Sequence, residues 1–416
     1  MQGIVAPLSV SVVSSALGYV ATKWLIPRVS ESFIKIGLFG KDLSKVGKPV
    51  IPETIGAIPS VIFVLLMFIN IPFFFFKDLS DSTLFPYGKF SEFLSAILCL
   101  ESILLLGVAD DLFDLRWRHK FFLPAFAAIP LLVVYYVDFG GTTVMIPPFV
   151  QGFFELPHNY LDLKALYYCY MASVAIFCPN SINILAGVNG LEVGQVIVLC
   201  VIFLINDFLF LFGAVEPAKH SHILSSTLII QLLGCSLALY HYNKFPAKVF
   251  VGDTFCYFAG MVFAVCGILG HFSKTTLLFF IPQIFNFAYS APQLVGLVPC
   301  PRHRMPKFIE KDGLLHTSRA VLGKSRKDHR FDFVLRILYK VGLIDLEFEA
   351  NDKKTILSCS NMTLINLVLV WSGPLREDKL CQRILILQLA IGILAIVGRH
   401  LGGAMLFGHD NLFSVI

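Results

Sequence analysis

Long apolar runs restrict what this chain can fold into more than any other feature of its sequence. Several windows of more than about 17 residues are almost wholly apolar, and a helix of that length crosses the hydrocarbon core of a bilayer. Of the 416 residues, 56% are hydrophobic and only 15% are charged, whereas a soluble domain has about 25% charged residues. We therefore predict an integral membrane protein that is surrounded by the lipid bilayer. We expect no nucleic acid among its partners, and the sequence leaves open whether the chain forms a homodimer.

The predicted fold class is an all-α polytopic membrane protein of about ten transmembrane helices, with a small α/β cytosolic insertion before the last helix. The chain divides into a transmembrane bundle over 1–298, where we expect the chemistry, a cytosolic loop domain over 299–380, and a last helix with a lumenal C-terminus over 381–416. The expected helices cover about 4–27, 55–76, 92–109, 121–137, 166–186, 195–213, 222–240, 249–270, 275–298 and 381–408.

Lysines and arginines are divided unevenly between the two alternating sets of loops. One set carries 25 of the 33 Lys and Arg residues and the other carries five. Because loops rich in Lys and Arg stay in the cytosol, we place the first set there and both termini in the lumen. The sequon at Asn361 then lies in a cytosolic loop, and we expect it to carry no glycan. The cytosolic set comprises 28–54, 110–120, 187–194, 241–248 and 299–380.

The long cytosolic loop has the pattern of a small α/β domain. Asp312 and Gly313 lie between short β-prone runs, which predicts a hairpin. A second hairpin is predicted for 346–349 and 355–357. Apolar residues recur at helical spacing over 331–341, which predicts an amphipathic helix.

Carboxylates and cations gather where the third predicted helix ends. Asp110, Asp111 and Asp114 follow an almost wholly apolar run, and a basic stretch ends at Lys120. Acids at this depth are costly unless they hold a metal or face water. Their hard oxygens suit Mg²⁺ or Mn²⁺, so we interpret the cluster as a cation and phosphate site. The alternative is a helix-end charge cluster that is paired with the neighbouring arginines.

Further polar groups fall in or beside the same set of loops. Asn180 and Asn183 share a helix face, and such amides either contact a ligand or bond a neighbouring helix. Asp253 opens a predicted helix and is either a second metal ligand or only a helix cap. The segment 302–304 lies between prolines, so its side chains project from a stiff loop that suits phosphate or that anchors the loop in the cytosol.

Together these motifs resemble the polyprenyl-phosphate N-acetylhexosamine-1-phosphate transferases, and among them the eukaryotic branch that acts on UDP-GlcNAc and dolichyl phosphate. The bacterial branch carries a His-rich loop where this chain has 302–304. One departure from the eukaryotic pattern is Asp114, where Asn is common. The matching segments span nearly the whole chain: 38–43, 51–53, 109–120, 182–194, 249–260, 267–274, 299–304 and 361–366.

The resemblance implies an enzyme that transfers GlcNAc-1-phosphate from UDP-GlcNAc to dolichyl phosphate and releases UMP, the first step of lipid-linked oligosaccharide synthesis for protein N-glycosylation. It also implies a Mg²⁺ cofactor, with Mn²⁺ as an alternative, inhibition by tunicamycin, and a multi-pass location in the endoplasmic reticulum membrane with the active site facing the cytosol.

Motif position also implies a role for each site residue. Uracil would be recognised by Asn189, with Phe250 stacking on it and Gly187 opposite. The implied catalytic residues are Asp110, Asp111 and Lys120, of which Lys120 would hold the dolichyl phosphate. The implied metal ligands are Asn183 and Asp253. The implied substrate-binding residues are Lys41, Asp42, Leu43, Glu53, Trp117, Asn180, Gly187, Asn189, Phe250, Arg302, His303 and Arg304.

The residues alone also allow a second class of function. In this alternative the protein is a transporter or flippase for a nucleotide sugar or a lipid-linked sugar. Transporters usually have sites near the midplane within inverted repeats, whereas the polar motifs here cluster at one edge and show no repeat. We therefore favour direct phosphoryl transfer, which needs positioning and charge neutralisation more than a strong nucleophile. Asp110 is expected either to remove a residual proton or to shape the metal site.

Overall fold

Helices dominate the fold and form one bundle with a small domain attached. The computed structural model describes residues 2–75, 85–113, 115–153, 158, 160–301, 304–322, 331–349, 352–408, 410 and 412. Its helices are α1 (Gln2–Lys35), α2 (Ala57–Phe74), α3 (Tyr87–Phe113), α4 (Trp117–Lys120), α5 (Leu123–Ala127), α6 (Ile129–Asp138), α7 (Pro148–Phe153), α8 (Ala165–Ile184), α9 (Leu191–Leu211), α10 (Glu216–Asn243), α11 (Asp253–Leu269), α12 (Ser273–Phe279), α13 (Ile281–Leu294), α14 (Asp332–Lys340), α15 (Leu364–Ser372) and α16 (Glu377–Phe407).

Each predicted transmembrane segment is helical, and two of them are divided. Helices α5 and α6 meet at Ala128, and α12 and α13 meet at Phe280; a proline lies in the first turn of each second helix, where its missing N–H is tolerated. Within the described ranges, six helices are long and apolar enough to cross a membrane, namely α1, α2, α3, α9, α10 and α16, while α6 and α11 are shorter apolar helices. The prediction of a polytopic helical membrane protein is confirmed.

Two helix boundaries differ from the prediction at positions that matter for the site. Helix α3 was expected to end at 109 but continues to Phe113, and α16 was expected to begin at 381 but begins at Glu377. Asp110 and Asp111 are therefore helical residues. Their acidity suggested a loop, but both have hydrogen-bond partners inside the protein.

Helix α11 is the centre of the bundle, since every residue from Thr254 to Leu269 is buried. A Cβ atom added at Gly107 would lie 2.7 Å from Cα of Thr254, and one added at Gly260 would lie 2.4 Å from Cα of Pro179. Only glycine permits such close approach, which is a common way to pack membrane helices. The first turn of α11 is thereby held beside the end of α3, and its middle beside α8.

The strands form small antiparallel sheets. The strands are β1 (Phe39–Lys41), β2 (Val50–Pro52), β3 (Thr143–Met145), β4 (Tyr160–Asp162), β5 (Lys307–Ile309), β6 (Leu314–His316), β7 (Arg319–Val321), β8 (Leu346–Glu349) and β9 (Asp352–Ser360). In the hairpin β1–β2, Gly40 pairs with Ile51. The described residues of the insertion form the hairpin β5–β6 and a three-stranded sheet of order β7–β9–β8.

The insertion contains the two predicted hairpins and the predicted amphipathic helix. Gly313 makes the first turn with φ of +69°, β8 pairs with β9, and α14 covers the expected helical stretch. The sequence did not predict β7 or α15. The insertion is joined to the bundle through Gln293 of α13, which donates to Oδ1 of Asn361 at 2.8 Å and accepts from the N–H of Met362 at 2.9 Å.

Candidate active site

A pocket of about 940 Å³ opens where the β1–β2 hairpin, the end of α8, the start of α11 and the insertion meet. It is lined by residues from both ends of the chain, so only the folded bundle brings them together. The predicted site residues that line it are Lys41, Asp42, Leu43, Glu53, Asn183, Gly187, Asn189, Phe250 and Asp253.

Lys120 links two aspartates that belong to different helices. Its Nζ lies 3.0 Å from Oδ2 of Asp110 and 2.7 Å from Oδ2 of Asp253. The N–H of Leu115 donates to Oδ1 of Asp110 at 3.1 Å. Burial alone would lower the pKa of Lys120, but the hydrogen bonds and charges of Asp253 and Asp110 together raise it. Lys120 is therefore a fixed cation beside the Asp253 wall of the pocket.

Asp111 caps the first turn of α11 from a neighbouring helix. Its Oδ1 accepts from the N–H of Asp253 at 2.9 Å, and its Oδ2 accepts from the N–H of Thr254 at 3.2 Å and from the Thr254 hydroxyl at 2.5 Å. The first N–H groups of a helix need such acceptors, and a negative charge there also interacts favourably with the helix dipole. Gly252, with φ of +82°, fits this arrangement because a Cβ would lie 2.9 Å from Oδ2 of Asp111.

Negative charge is in excess at this end of the pocket. The pKa of Glu53 is raised, first by burial and then by the charges of Asp111 and Asp253. Within the described part of the chain, no group of three or more His, Cys, Asp and Glu side chains forms a ready metal site. The amide oxygen of Asn183 and the carboxylate of Asp253 are hard donors on one wall. They fit a divalent cation that completes its coordination with substrate oxygens.

The β1–β2 hairpin is fixed against the segment that carries Phe250. The N–H of Phe250 donates to the carbonyl of Pro52 at 2.8 Å, and its carbonyl accepts from the N–H of Ile55 at 3.2 Å. A Cβ at Gly40 would lie 2.9 Å from the Phe250 ring, so the strand lies directly against that ring. The half-buried aromatic face is thereby held as a rigid part of the pocket wall.

Asn189 is held by two segments that are distant from it in sequence. Its N–H donates to Oε1 of Glu377 at 2.7 Å, and its Oδ1 accepts from the N–H of Ala247 at 3.0 Å. The other carboxylate oxygen of Glu377 accepts from Lys45, whose ammonium lies 3.4 Å from Oδ2 of Asp42. The hairpin loop, the turn before α9 and the start of α16 are thereby joined around the pocket.

Gly187 has a left-handed backbone, with φ of +101°, beside the side chain of Met305. A Cβ at Gly187 would lie 2.1 Å from Cε of Met305, so the thioether lies directly over this glycine. The N–H of Gly187 donates to Oε1 of Glu192 at 2.7 Å. Both Glu192 and Met305 line the pocket, and neither was predicted.

Some predicted residues are not brought into this pocket. Asn180 lines a separate cavity of about 250 Å³, where its amide donates to the carbonyls of Phe121 at 3.1 Å and Ile176 at 2.8 Å. Its position thus matches a helix-bonding amide better than a contact to the nucleotide sugar. The carbonyl of Arg304 accepts from Asn366 at 2.8 Å, and its guanidinium is not among the lining groups. The predictions for Asp114, Arg302 and His303 and for the Trp117 side chain concern positions outside the described residues.

Comparison with known proteins identifies relatives that match nearly the whole chain. The chain is 63% identical to the UDP-N-acetylglucosamine–dolichyl-phosphate N-acetylglucosaminephosphotransferase of Saccharomyces cerevisiae, over 96% of this chain and 92% of that protein. The protein of the same name from Schizosaccharomyces pombe is 49% identical over 98% of this chain and 95% of its own length. The chain belongs to this family of N-acetylglucosaminephosphotransferases. The expectation of an enzyme is confirmed.

The family model described as glycosyl transferase family 4 matches residues 93–271 of the chain. In this phosphotransferase that stretch contains Asp110, Lys120, Asn183 and Asp253, whereas the β1–β2 hairpin and the insertion lie outside it. The phospho-N-acetylmuramoyl-pentapeptide-transferase of Chlamydia muridarum is 31% identical over 36% of this chain and 43% of that protein. The charged end of the pocket therefore belongs to the part that the broader family matches.

Sequence reasoning missed two buried residues of this phosphotransferase site. Tyr257 is 3% exposed, and its hydroxyl lies near the side chains of Asn183 and Asp110. Its spacing of four from Asp253 on a helix was the available signal. Glu377 is 4% exposed, and an acid at the start of a long apolar run was the available signal.

Proposed function

We propose that this phosphotransferase joins its two substrates at the pocket described above. GlcNAc-1-phosphate is transferred from UDP-GlcNAc to dolichyl phosphate, which gives GlcNAc-PP-dolichol and UMP and begins lipid-linked oligosaccharide synthesis for N-glycosylation. The observation that carries the proposal is the contact of Lys120 with both Asp110 and Asp253. Through these contacts Lys120 connects the pocket wall that we assign to UDP-GlcNAc with the side that we assign to dolichyl phosphate.

The nucleotide sugar occupies the large pocket in this proposal. Phe250 provides a fixed aromatic face for the uracil, and Asn189 provides a polar group whose orientation is set by its neighbours. The hairpin residues Lys41 and Leu43 and the acid Glu53 border the same space. The diphosphate then lies towards Asp253, where a cation would be held.

Mg²⁺ is the cation that we assign to Asn183 and Asp253. When bound, it would neutralise charge on the diphosphate and polarise the transferred phosphorus. The fit rests on the hard oxygen donors and on the excess of negative charge, which adds to burial in raising the pKa of Glu53. Two protein ligands are typical for Mg²⁺ that is bound together with substrate phosphates.

The acceptor approaches from the membrane side of Lys120. The next residue, Phe121, lines the separate cavity of about 250 Å³ together with Phe122, Phe177 and Phe287. The first isoprene units of a polyprenyl chain would be accommodated by this mainly apolar cavity while the phosphate reaches the Lys120 ammonium. Asn180 bonds the Phe121 carbonyl, so in this proposal it positions Lys120 and does not touch the nucleotide sugar.

The reaction is a single displacement at phosphorus. A phosphate oxygen of dolichyl phosphate forms a bond to the β-phosphorus, and the bond between that phosphorus and the oxygen bridging to the α-phosphate breaks, so that UMP leaves with the electron pair. Lys120 neutralises the acceptor phosphate. Asp110 holds Lys120 in place and takes any proton that remains on the acceptor. The site faces the cytosol at the endoplasmic reticulum membrane in this proposal, as the positive-inside pattern favours.

The test is UMP release by the purified full chain with UDP-GlcNAc, dolichyl phosphate and Mg²⁺. Asp253→Ala should abolish turnover and the Mg²⁺ dependence of UDP-GlcNAc binding, whereas Asp110→Asn should keep nucleotide binding and lose turnover. Asp312→Asn, in an exposed turn of the insertion, is the matched control and should behave as wild type. If no UMP forms, or if Asp253→Ala has no effect, the proposed reaction at this site is wrong.

A further inference from the structure

We propose that Glu377 is a positioning residue that sets nucleobase recognition in this phosphotransferase, an inference that rests on the proposed binding of UDP-GlcNAc in the large pocket. Glu377 is the first residue of α16, at the junction of the insertion and the last helix. It is 4% exposed, and it lines the pocket.

Both carboxylate oxygens of Glu377 have a structural partner. Oε1 accepts from the N–H of Asn189 at 2.7 Å, and Oε2 pairs with the ammonium of Lys45. Lys45 also faces Asp42 at 3.4 Å and lies 4.4 Å from the centre of the Phe245 ring. A buried carboxylate is tolerated only when it is paired and hydrogen-bonded in this way. The carboxylate thus joins two pocket walls that share no secondary structure.

The contacts of Asn189 determine which end of its amide is offered to a ligand. Its backbone N–H is bound by Glu377, and its Oδ1 accepts from the N–H of Ala247 at 3.0 Å. The –NH₂ end is then the group that Asn189 offers to a base. A donor at this position favours a carbonyl of uracil over the exocyclic amine of cytosine, since the amine is itself a donor. Glu377 therefore acts on base selection through Asn189.

The position of Glu377 also explains why the cytosolic insertion and the last helix belong to the site. Loss of the carboxylate would free the turn before α9 from α16 and would leave Lys45 without its closer partner. The expected defect is weaker and less selective nucleotide binding. The chemistry at Lys120 and Asp253 should be unaffected, because Glu377 contacts neither of them.

The experiment compares Glu377→Ala and Glu377→Gln with Asp378→Asn in the full chain. Asp378 is the adjacent acid and bonds Arg376 at the surface. The measurements are kcat, the KM values for UDP-GlcNAc and dolichyl phosphate, and inhibition by the product UMP and by its cytosine analogue CMP. Melting temperature in detergent is recorded for each variant.

Glu377→Ala should raise KM for UDP-GlcNAc about 10- to 100-fold, the scale expected for loss of a hydrogen bond to a charged group. The preference for UMP over CMP should fall by a similar factor, while kcat and KM for dolichyl phosphate stay within about threefold. Glu377→Gln keeps an acceptor for Asn189 but loses the charge that pairs with Lys45, so it should give an intermediate defect. Asp378→Asn should match wild type.

The inference is overturned if Glu377→Gln and Glu377→Ala keep the wild-type KM and UMP preference, or if they lower only kcat and melting temperature. If Glu377→Ala does not fold, the isosteric Gln variant decides, and a KM within about twofold of wild type overturns the inference. Failure of the proposed function itself would be visible separately, because the wild-type chain would then release no UMP.

Discussion

The substitution Asp111→Asn distinguishes a helix cap from a chemical group. The sequence grouped Asp111 with Asp110 as a catalytic acid, but its two oxygens accept from the N–H groups of Asp253 and Thr254 and from the Thr254 hydroxyl. An asparagine keeps one oxygen that can accept a hydrogen bond, but its –NH₂ group can only donate. That –NH₂ group would then face N–H or O–H donors and could not bond them. The start of α11 would therefore lose at least one hydrogen bond and a favourable charge.

The expected size of the effect follows from these contacts. Loss of a helix cap costs about 0.5–2 kcal/mol, and loss of a hydrogen bond to a charged group costs about 1.5–3 kcal/mol. The two terms describe overlapping contacts and do not add. Because asparagine retains one acceptor, we expect a loss of about 2–3 kcal/mol in unfolding free energy. Turnover should fall as well, because Asp253 lies in the turn that is released.

The assay is unfolding of the purified chain in detergent, with and without Mg²⁺. The unfolding free energy of Asp111→Asn should be lowered by the same amount with and without Mg²⁺, because the lost contacts are to backbone N–H groups and not to the cation. Asp110→Asn is the matched comparison: it removes a partner of Lys120 and should lose turnover with a smaller change in stability. If Asp111→Asn unfolds as wild type does but has no turnover, Asp111 acts chemically and the capping argument is refuted.

Three other measurements test separate parts of the site. Because the pKa of Glu53 is raised, the stability of the wild-type chain without Mg²⁺ should fall as pH rises from the ordinary glutamate range through that raised pKa. In Glu53→Gln this part of the pH dependence of the melting temperature should be absent. If the melting temperatures of wild type and Glu53→Gln change equally with pH, the raised pKa is contradicted. Lys120→Met should lower kcat about 100-fold or more, because a group that stabilises developing charge is lost, while UMP affinity measured by calorimetry is retained; a parallel loss of UMP affinity would count against the acceptor-side role. Asn361 should carry no glycan in cells, because the long loop that contains it is expected to face the cytosol; a mobility shift with endoglycosidase would contradict this membrane orientation.

The sequence predicted the helices well, because apolar runs and their length determine membrane spans almost alone. It also predicted nine of the residues that line the large pocket, through motifs at the ends of those runs. The helix breaks at Ala128 and Phe280 were missed. A proline inside an apolar run is compatible with one continuous span or with two short helices, and packing decides between them.

The roles of the site residues were harder to predict, because each depends on a partner far away in the chain. Asn180 and Asn183 share one helix face by spacing, yet Asn183 lines the pocket and Asn180 bonds the carbonyl of Phe121. Glu377 was marked in the sequence only by its position at the start of an apolar run, since its function depends on Asn189 and Lys45 lying beside it in space. Sequence spacing describes one helix and carries no information about which helix lies opposite.

The different roles of the two adjacent aspartates follow from helix geometry. Successive residues on a helix point about 100° apart, so Asp110 faces the ammonium of Lys120 while Asp111 faces the start of α11. Each acid has its own positive partner, which is why both are tolerated at the membrane edge. Asp253 shares Lys120 with Asp110, and its side chain is 29% exposed, against 2% for Asp110. Asp253 is therefore the acid that a cation or a diphosphate can reach from the pocket, and the aspartate pair acts on it through Lys120 and through the first turn of its helix.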